Sequence, residues 1–384
     1  MEFALTSEQR MVQESARRMV ERDIQPVLDA NDAERPLPKP ELLRIFKVLA
    51  SQGLTAPRLP ESAGGSGMSM LNYGLMLEQV PPTIAMAVMS QECTIARMWA
   101  ESTAEQRERI LPPLIRGEQI CCTGTTEPDI GSDPRGVRTR VVADGDWLVV
   151  NGTKLWITNA SVADVCNVTC AERQPDGRMA MRRIAIEKSV SPFLAREVPV
   201  LGLKQGHLGE MVFSDCRVPQ HNALGLAGDA ARLLTLTWNG NRPMVGLMAV
   251  HMAQRAFEKA VAYAGSRKQF GKVIGGHQLI QRNLADIETA ITSSRLMCYY
   301  ALDAIDRGER TNGLSAMAKR FATNACQEAI SQAMHVHGAM GISRELGLEQ
   351  YYRDVRMLPI PDGTNEILAL IQGREITGIS TFRE

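Results

Sequence analysis

The sequence predicts a mainly α-helical protein with a central β domain: an N-terminal helical domain, a middle β-barrel-like domain and a C-terminal four-helix bundle. Three observations carry this. Apolar residues recur at helical spacing near both ends, period-2 runs rich in Val, Ile, Thr and Trp fill the middle, and turn residues separate the two regimes. A length of 384 residues exceeds what a single core usually organises, so two or three domains are expected. The boundaries read as 1–118, 119–227 and 228–384.

Thr6 and Gln9 stand at capping-box spacing. Met11, Val12, Ala16, Met19, Val20 and Ile24 then follow with the period of an amphipathic helix. Further helices are predicted over 40–53, 69–80 and 84–101, with the loop RLPESAGGSGMS between them and ERILPPLIRGE closing the unit. From Cys121 the pattern becomes that of a β-meander: GVRTRVVA runs into Asp144-Gly145, WLVV into Asn151-Gly152, and TKLWITNAS follows. Both dipeptides tolerate the positive φ of a tight hairpin turn. Strand character continues through RRIAIEK and EMVFSDCRVP. Helical periods then return over 229–266, 276–307 and 313–339 and from about 344, the pattern of a four-helix bundle.

Composition narrows the function. Lys plus Arg equals Asp plus Glu at 43 each, which gives no net field toward nucleic acid or an anionic membrane. The start MEFALTSEQR lacks a basic segment followed by an apolar one, and no apolar run reaches membrane-span length, so a soluble cytoplasmic protein is expected. Eight cysteines without C-x-x-C spacing read as reduced thiols. Six dispersed histidines form no zinc-like set, and no metal is expected. A strand followed by G-x-G-x-x-G is missing, so no dinucleotide-binding βαβ unit is indicated.

Four segments carry chemistry. They are TTEPDIGSD at 125–133, LWITNA at 155–160, SRKQFGK at 266–272 and YYRDVRMLPIPDGTNEI at 351–367. In this order and spread over the whole chain, they resemble the signature segments of the acyl-CoA dehydrogenases. The resemblance implies an FAD cofactor. Thr126 and Thr158 would bond the flavin's polar edge, Trp156 would pack on the ring, and Ser132 would lie near the pyrophosphate and the substrate's pantetheine. Such donors suit a ring that becomes negatively charged on reduction. Arg267 and Phe270 would contact the FAD of a neighbouring subunit, which implies a homotetramer or homodimer, and Thr364 would reach the adenosine side. His335 and Gly338 fall on a family stretch near the adenine, where His335 and Ala339 depart from the usual Gln and Gly.

By the same resemblance Asp362 is the catalytic base, standing where most of the family has Glu just before Gly-Thr. Asp is shorter by about 1.5 Å, and a misplacement of roughly 1 Å can cost about a hundredfold in rate. Pro361, where an aromatic residue is common, fixes its own φ and would re-aim the loop. The alternative base position on the bundle helix is Asn241, which cannot serve. Substrate contacts are implied for Asn239, Arg242 and Gly363. On 84–98, Glu92 either faces solvent on a polar helix face or, with Gln91, meets a polar, branched or cyclic acyl group or supplies a second acid/base at the far end of the pocket.

The implied reaction is removal of the pro-R α-proton by Asp362 and anti transfer of a β-hydride to flavin N5. The backbone N–H of Asp362 and the flavin ribityl 2′-hydroxyl would bond the thioester oxygen. The partners would be an acyl-CoA and an electron-transferring flavoprotein. Two alternatives stand: altered chemistry (oxidase, redox-neutral lyase or desulfinase, enoyl-CoA reductase), and a DNA-associated binding protein, which the balanced charge disfavours.

Overall fold

The computed structural model describes residues 4–233 and 235–382. The chain starts with α1 (Ser7–Met19), whose Thr6 cap makes the capping box expected of Thr6 and Gln9, and runs through one π turn, Val20–Ile24, into α2 (Gln25–Asp29). Then come α3 (Lys39–Ser51), α4 (Met70–Leu77), α5 (Pro82–Glu101) and α6 (Ala104–Ile115). Tyr73, Phe46 and Leu49 from these helices are fully buried against the C-terminal bundle.

Eight strands form one sheet: β1 (Cys121–Gly124), β2 (Arg140–Asp144), β3 (Trp147–Thr158), β4 (Val165–Arg173), β5 (Met179–Glu187), β6 (Leu194–Glu197), β7 (Leu208–Pro219) and β8 (Ala223–Leu224). Their spatial order is β6-β7-β3-β2-β4-β5-β8, with β1 pairing β4. This corrects the meander expected from sequence. The β2–β3 hairpin turns at Gly145, but β4 returns parallel to β2, and β7 crosses over to pair with β3.

Asn151-Gly152, expected to be a second turn, lies inside β3 at a register shift against β7. Gly152 has φ 149°, and a Cβ there would come within 2.6 Å of the Thr139 hydroxyl. The dipeptide therefore marks a bulge and a close strand approach rather than a hairpin.

After the short α7 (Asp229–Arg232) come α8 (Trp238–Ser266), the small hairpin β9 (Lys268–Gln269) and β10 (Lys272–Val273), α9 (Gln278–Asp306) and α10 (Asn312–His337). Small residues set the spacing between these helices. Ala249, Ala253, Ala256 and Ala260 on α8 are buried, and a Cβ at Gly246 would come within 2.5 Å of the Cys298 sulfur on α9. The fourth helix expected from about 344 is broken. It forms α11 (Leu348–Val355) and α12 (Asn365–Thr377), and the segment between them carries Asp362. Pro359, Pro361 and Gly363 in that segment oppose a continuous helix. All eight cysteines are free and buried, and no described helix is long and apolar enough to cross a membrane.

Candidate active site

One cavity of about 780 Å³ lies between α5, the β1 and β3 strand ends, the start of α8 and the segment between α11 and α12. The TTEPDIGSD turn forms one wall because Glu127 anchors it from behind. Its carboxylate accepts from the backbone N–H groups of Arg138 and Thr139 and from Lys154 Nζ, each at 2.8 Å. Burial pushes the Glu127 carboxyl up, but Lys154 and Thr139 outweigh it and hold the group below the usual carboxylate range, while burial lowers Lys154. With Glu127 turned inward, Thr126, Gly131 and Ser132 face the cavity.

The LWITNA segment supplies the neighbouring wall. A second register shift, between Lys154 and Ile157, puts Trp156 at φ 62° and leaves it 52% exposed at the cavity, with Thr158 beside it. A bulge re-aims a side chain in this way, and a half-exposed indole flanked by hydroxyls suits a flat heteroaromatic ring with a polar edge. A Cβ at Gly131 would meet nothing within 4 Å, so the backbone there is open to a phosphate. These residues fit a flavin.

Opposite lies the Asp362 segment. Asp362 has φ 53°, a left-handed conformation that Asp tolerates better than most residues but that still needs support. Its carbonyl accepts from Arg242 Nε at 3.2 Å. Lys319, fully buried on α10, donates to the carbonyls of Pro359 at 3.3 Å, Gly363 at 2.6 Å and Pro361. Burial brings Lys319 down to about 7, with Asp362 opposing that shift. Arg242 is also buried and bonds Asn312 at 3.1 Å and Asn239 at 3.4 Å. Asp362, Arg242, Gly363 and Thr364 all line the cavity, and the Thr364 hydroxyl also caps α12.

Several residues singled out from sequence lie elsewhere. Gln91 points away from the cavity and braces the chain, bonding the carbonyls of Leu114 and Gln119 and the Cys121 N–H. That corrects its assignment to substrate. Glu92 neither faces solvent nor lines the cavity. Its side chain is fully buried and pairs with Arg58 at 2.8 Å, and Arg58 also bonds Asn241 at 2.6 Å. Burial raises the Glu92 carboxyl against the pull of Arg58 and Arg97, and Asp362 adds to the rise. Asn239 stands behind Arg242 rather than in the wall. His335 and Gly338 line a separate cavity of about 210 Å³, and Phe270 on the β9–β10 hairpin is 94% exposed.

Sequence reasoning passed over Lys319, Arg58 and Arg97. No local pattern in AMAKRFA or PRLP separates a buried cation from a solvated one, and only the packing does so.

Comparison with known proteins identifies the family and the fold. The models for the acyl-CoA dehydrogenase N-terminal, middle and C-terminal domains match residues 6–118, 122–216 and 231–377. The chain belongs to the acyl-CoA dehydrogenase family. Among its curated relatives, the benzylmalonyl-CoA dehydrogenase of Aromatoleum aromaticum is 33% identical, covering 98% of this chain and 100% of the relative. The acryloyl-CoA reductase (NADH) of Anaerotignum propionicum is 32% identical, covering 98% and 96%. The glutaryl-CoA dehydrogenase of Mycobacterium smegmatis, solved in complex with FADH2, superposes with a TM-score of 0.88 at 25% identity, covering 99% and 97%. This acyl-CoA dehydrogenase-family chain is thus an oxidoreductase with the family fold along its length.

Proposed function

We propose that the protein binds FAD and oxidises an acyl-CoA thioester to the 2-enoyl-CoA, with Asp362 as the base that takes the α-proton. The observation that carries this reading is the Asp362 turn, held at positive φ by Lys319 and Arg242 on the cavity wall that faces Trp156, Thr126 and Thr158. FAD, when bound there, supplies the acceptor for the β-hydride. The protein's own share is positioning. Thr126 and Thr158 offer hydroxyls to the polar edge of the ring, and the open backbone at Gly131 and Ser132 suits phosphate. The Asp362 N–H polarises the thioester oxygen and so acidifies the α-carbon. A carboxylate screened from water by substrate and ring becomes a stronger base, which is what removal of an α-proton requires.

The twist at Asp362 bears on the shorter side chain. Lys319 and Arg242 draw in the surrounding carbonyls, which supports the reading that the backbone makes up the reach lost with one methylene. The proposed partners are an acyl-CoA, an electron-transferring flavoprotein that takes the electrons, and further copies of this chain, with a cytoplasmic location. The resemblance to an acryloyl-CoA reductase supports one second reading, the same chemistry run from enoyl-CoA to acyl-CoA.

Anaerobic titration of the flavoprotein with saturated acyl-CoAs tests the proposal. Flavin absorbance is expected to bleach, and Asp362→Asn to slow bleaching by about a hundredfold to ten-thousandfold. Bleaching that persists at the wild-type rate in Asp362→Asn removes Asp362 as the base, and bleaching only by a pyridine nucleotide favours the reductase.

A further inference from the structure

The cavity runs along one face of α5. Thr83, Met86, Met89, Ser90, Cys93 and Arg97 line it, a span of roughly 21 Å at 1.5 Å per residue. The stripe is apolar at Met86 and Met89 and ends on a cation. Arg97 is 7% exposed and faces the cavity, and its Nε is buried without a hydrogen-bond partner. No hydrogen bond or ion pair joins its side chain to any described residue.

The neighbouring buried charges pair with one another, while Glu92 also attracts Arg97 and one oxygen of each carboxylate, Glu92 and Glu101, has no hydrogen-bond partner. Arg58 pairs with Glu92 at 2.8 Å and Arg183 with Glu101 at 2.6 Å, so Arg97 is the one of these three arginines left over. A buried cation without a partner is expensive to maintain, and such groups cluster where a ligand completes them. Arg97 also shares surroundings with the proposed base. The Cys93 thiol, one turn earlier on α5, is pushed up to about 11 by burial, with Arg97 pulling it down and Asp362 adding to the rise.

We propose that Arg97 is an anion subsite within the acyl cavity, and that the preferred substrate carries a carboxylate on its acyl group, as a mono-CoA thioester of a dicarboxylic acid does. The inference rests on the acyl-CoA reading above and names its substrate class. A planar guanidinium with its donors free takes a carboxylate in bidentate fashion, one helical turn beyond the Cys93 side chain that Asp362 neighbours.

The test is calorimetric, on the FAD-loaded protein in the Asp362→Asn background so that turnover is slowed during the titration. The probes are CoA, the mono-CoA thioesters of C4 to C8 dicarboxylic acids, and monocarboxylic thioesters of equal length. At one length the carboxylated thioester is expected to bind about tenfold or more tightly than its counterpart. Adding Arg97→Met is expected to bring that ratio to about one, and Arg97→Lys to restore part of it. Melting temperature and FAD content are expected to stay at or above the parent values in Arg97→Met, because an unpaired buried charge has been removed.

Equal or weaker binding of the carboxylated thioesters at every length overturns the proposal. A uniform loss across CoA and all thioesters would assign Arg97 to the CoA phosphates, and a loss of FAD or of thermal stability would make it structural, with Glu101 or Glu92 as its partner. Both results also overturn it. Wild-type protein that shows the preference but is never bleached would sink the dehydrogenase reading while leaving the subsite standing.

Discussion

Lys319 holds three carbonyls of the Asp362 segment from inside the bundle, and its charge state decides how firmly it does so. An ammonium has a donor for each carbonyl, whereas a neutral amine has two. Lys319→Met is therefore expected to lower kcat about tenfold to a hundredfold with FAD content retained, since the loop shifts while the flavin wall stays. The pH dependence follows from a native pKa of about 7 against the ordinary 10.5. Below pH 7 both folded and unfolded chains are protonated at Lys319, and the cost of burying the charge is constant. Between 7 and 10.5 the unfolded chain holds the extra proton, so this residue makes stability rise with pH. Melting curves from pH 7 to 9 should show that slope in the wild type and a weaker one in Lys319→Met. Nothing in the local sequence signals this role, because a lysine on a helix reads as solvated until its neighbours are known.

Among the elements, β3 shows how a turn signal is overridden. Asn151-Gly152 has the chemistry of a hairpin turn, yet Asn151 Nδ2 bonds Asp215 at 3.0 Å and the strand continues through a bulge. Gly152→Ala is expected to cost on the order of 2 kcal/mol, from the positive φ and the clash with Thr139, and to lower the melting temperature. The buried Arg183–Glu101 pair ties α5 to β5, and Glu101→Gln is expected to destabilise by about 3 kcal/mol or more because Arg183 loses its counter-charge. A thermal shift smaller than that of an exposed control such as Glu258→Gln would refute that account. Strand existence was readable from the Val, Ile and Thr runs. Strand neighbours were not, since β7 joins β3 across the 49 residues of chain from 159 to 207.

For the whole molecule, the β9–β10 hairpin carries Phe270 almost wholly into solvent, with Arg267 at its base. The proposal that further copies of this chain assemble with it, with Phe270 and Arg267 reaching a neighbour's FAD, gives this exposed aromatic at a positive-φ turn a role. Phe270→Ser is expected to weaken both self-association and FAD retention, which light scattering and flavin content of the eluted species would read together. A monomeric wild-type protein that keeps its FAD would refute the shared-cofactor arrangement.

Within this chain, the order of helical, strand and helical regions was legible from periodicity, and the resemblance singled out Thr126, Ser132, Trp156, Thr158, Arg242 and Asp362, which the fold brings around one cavity. Periodicity and motif spacing are local properties, and they survive folding. The break between α11 and α12, the inward turn of Gln91 and Glu92, the clamp by Lys319 and the unmatched charge on Arg97 were decided only by the tertiary structure. Each depends on which side chains from distant segments share a low-dielectric interior, where partnership rather than residue type sets the energy.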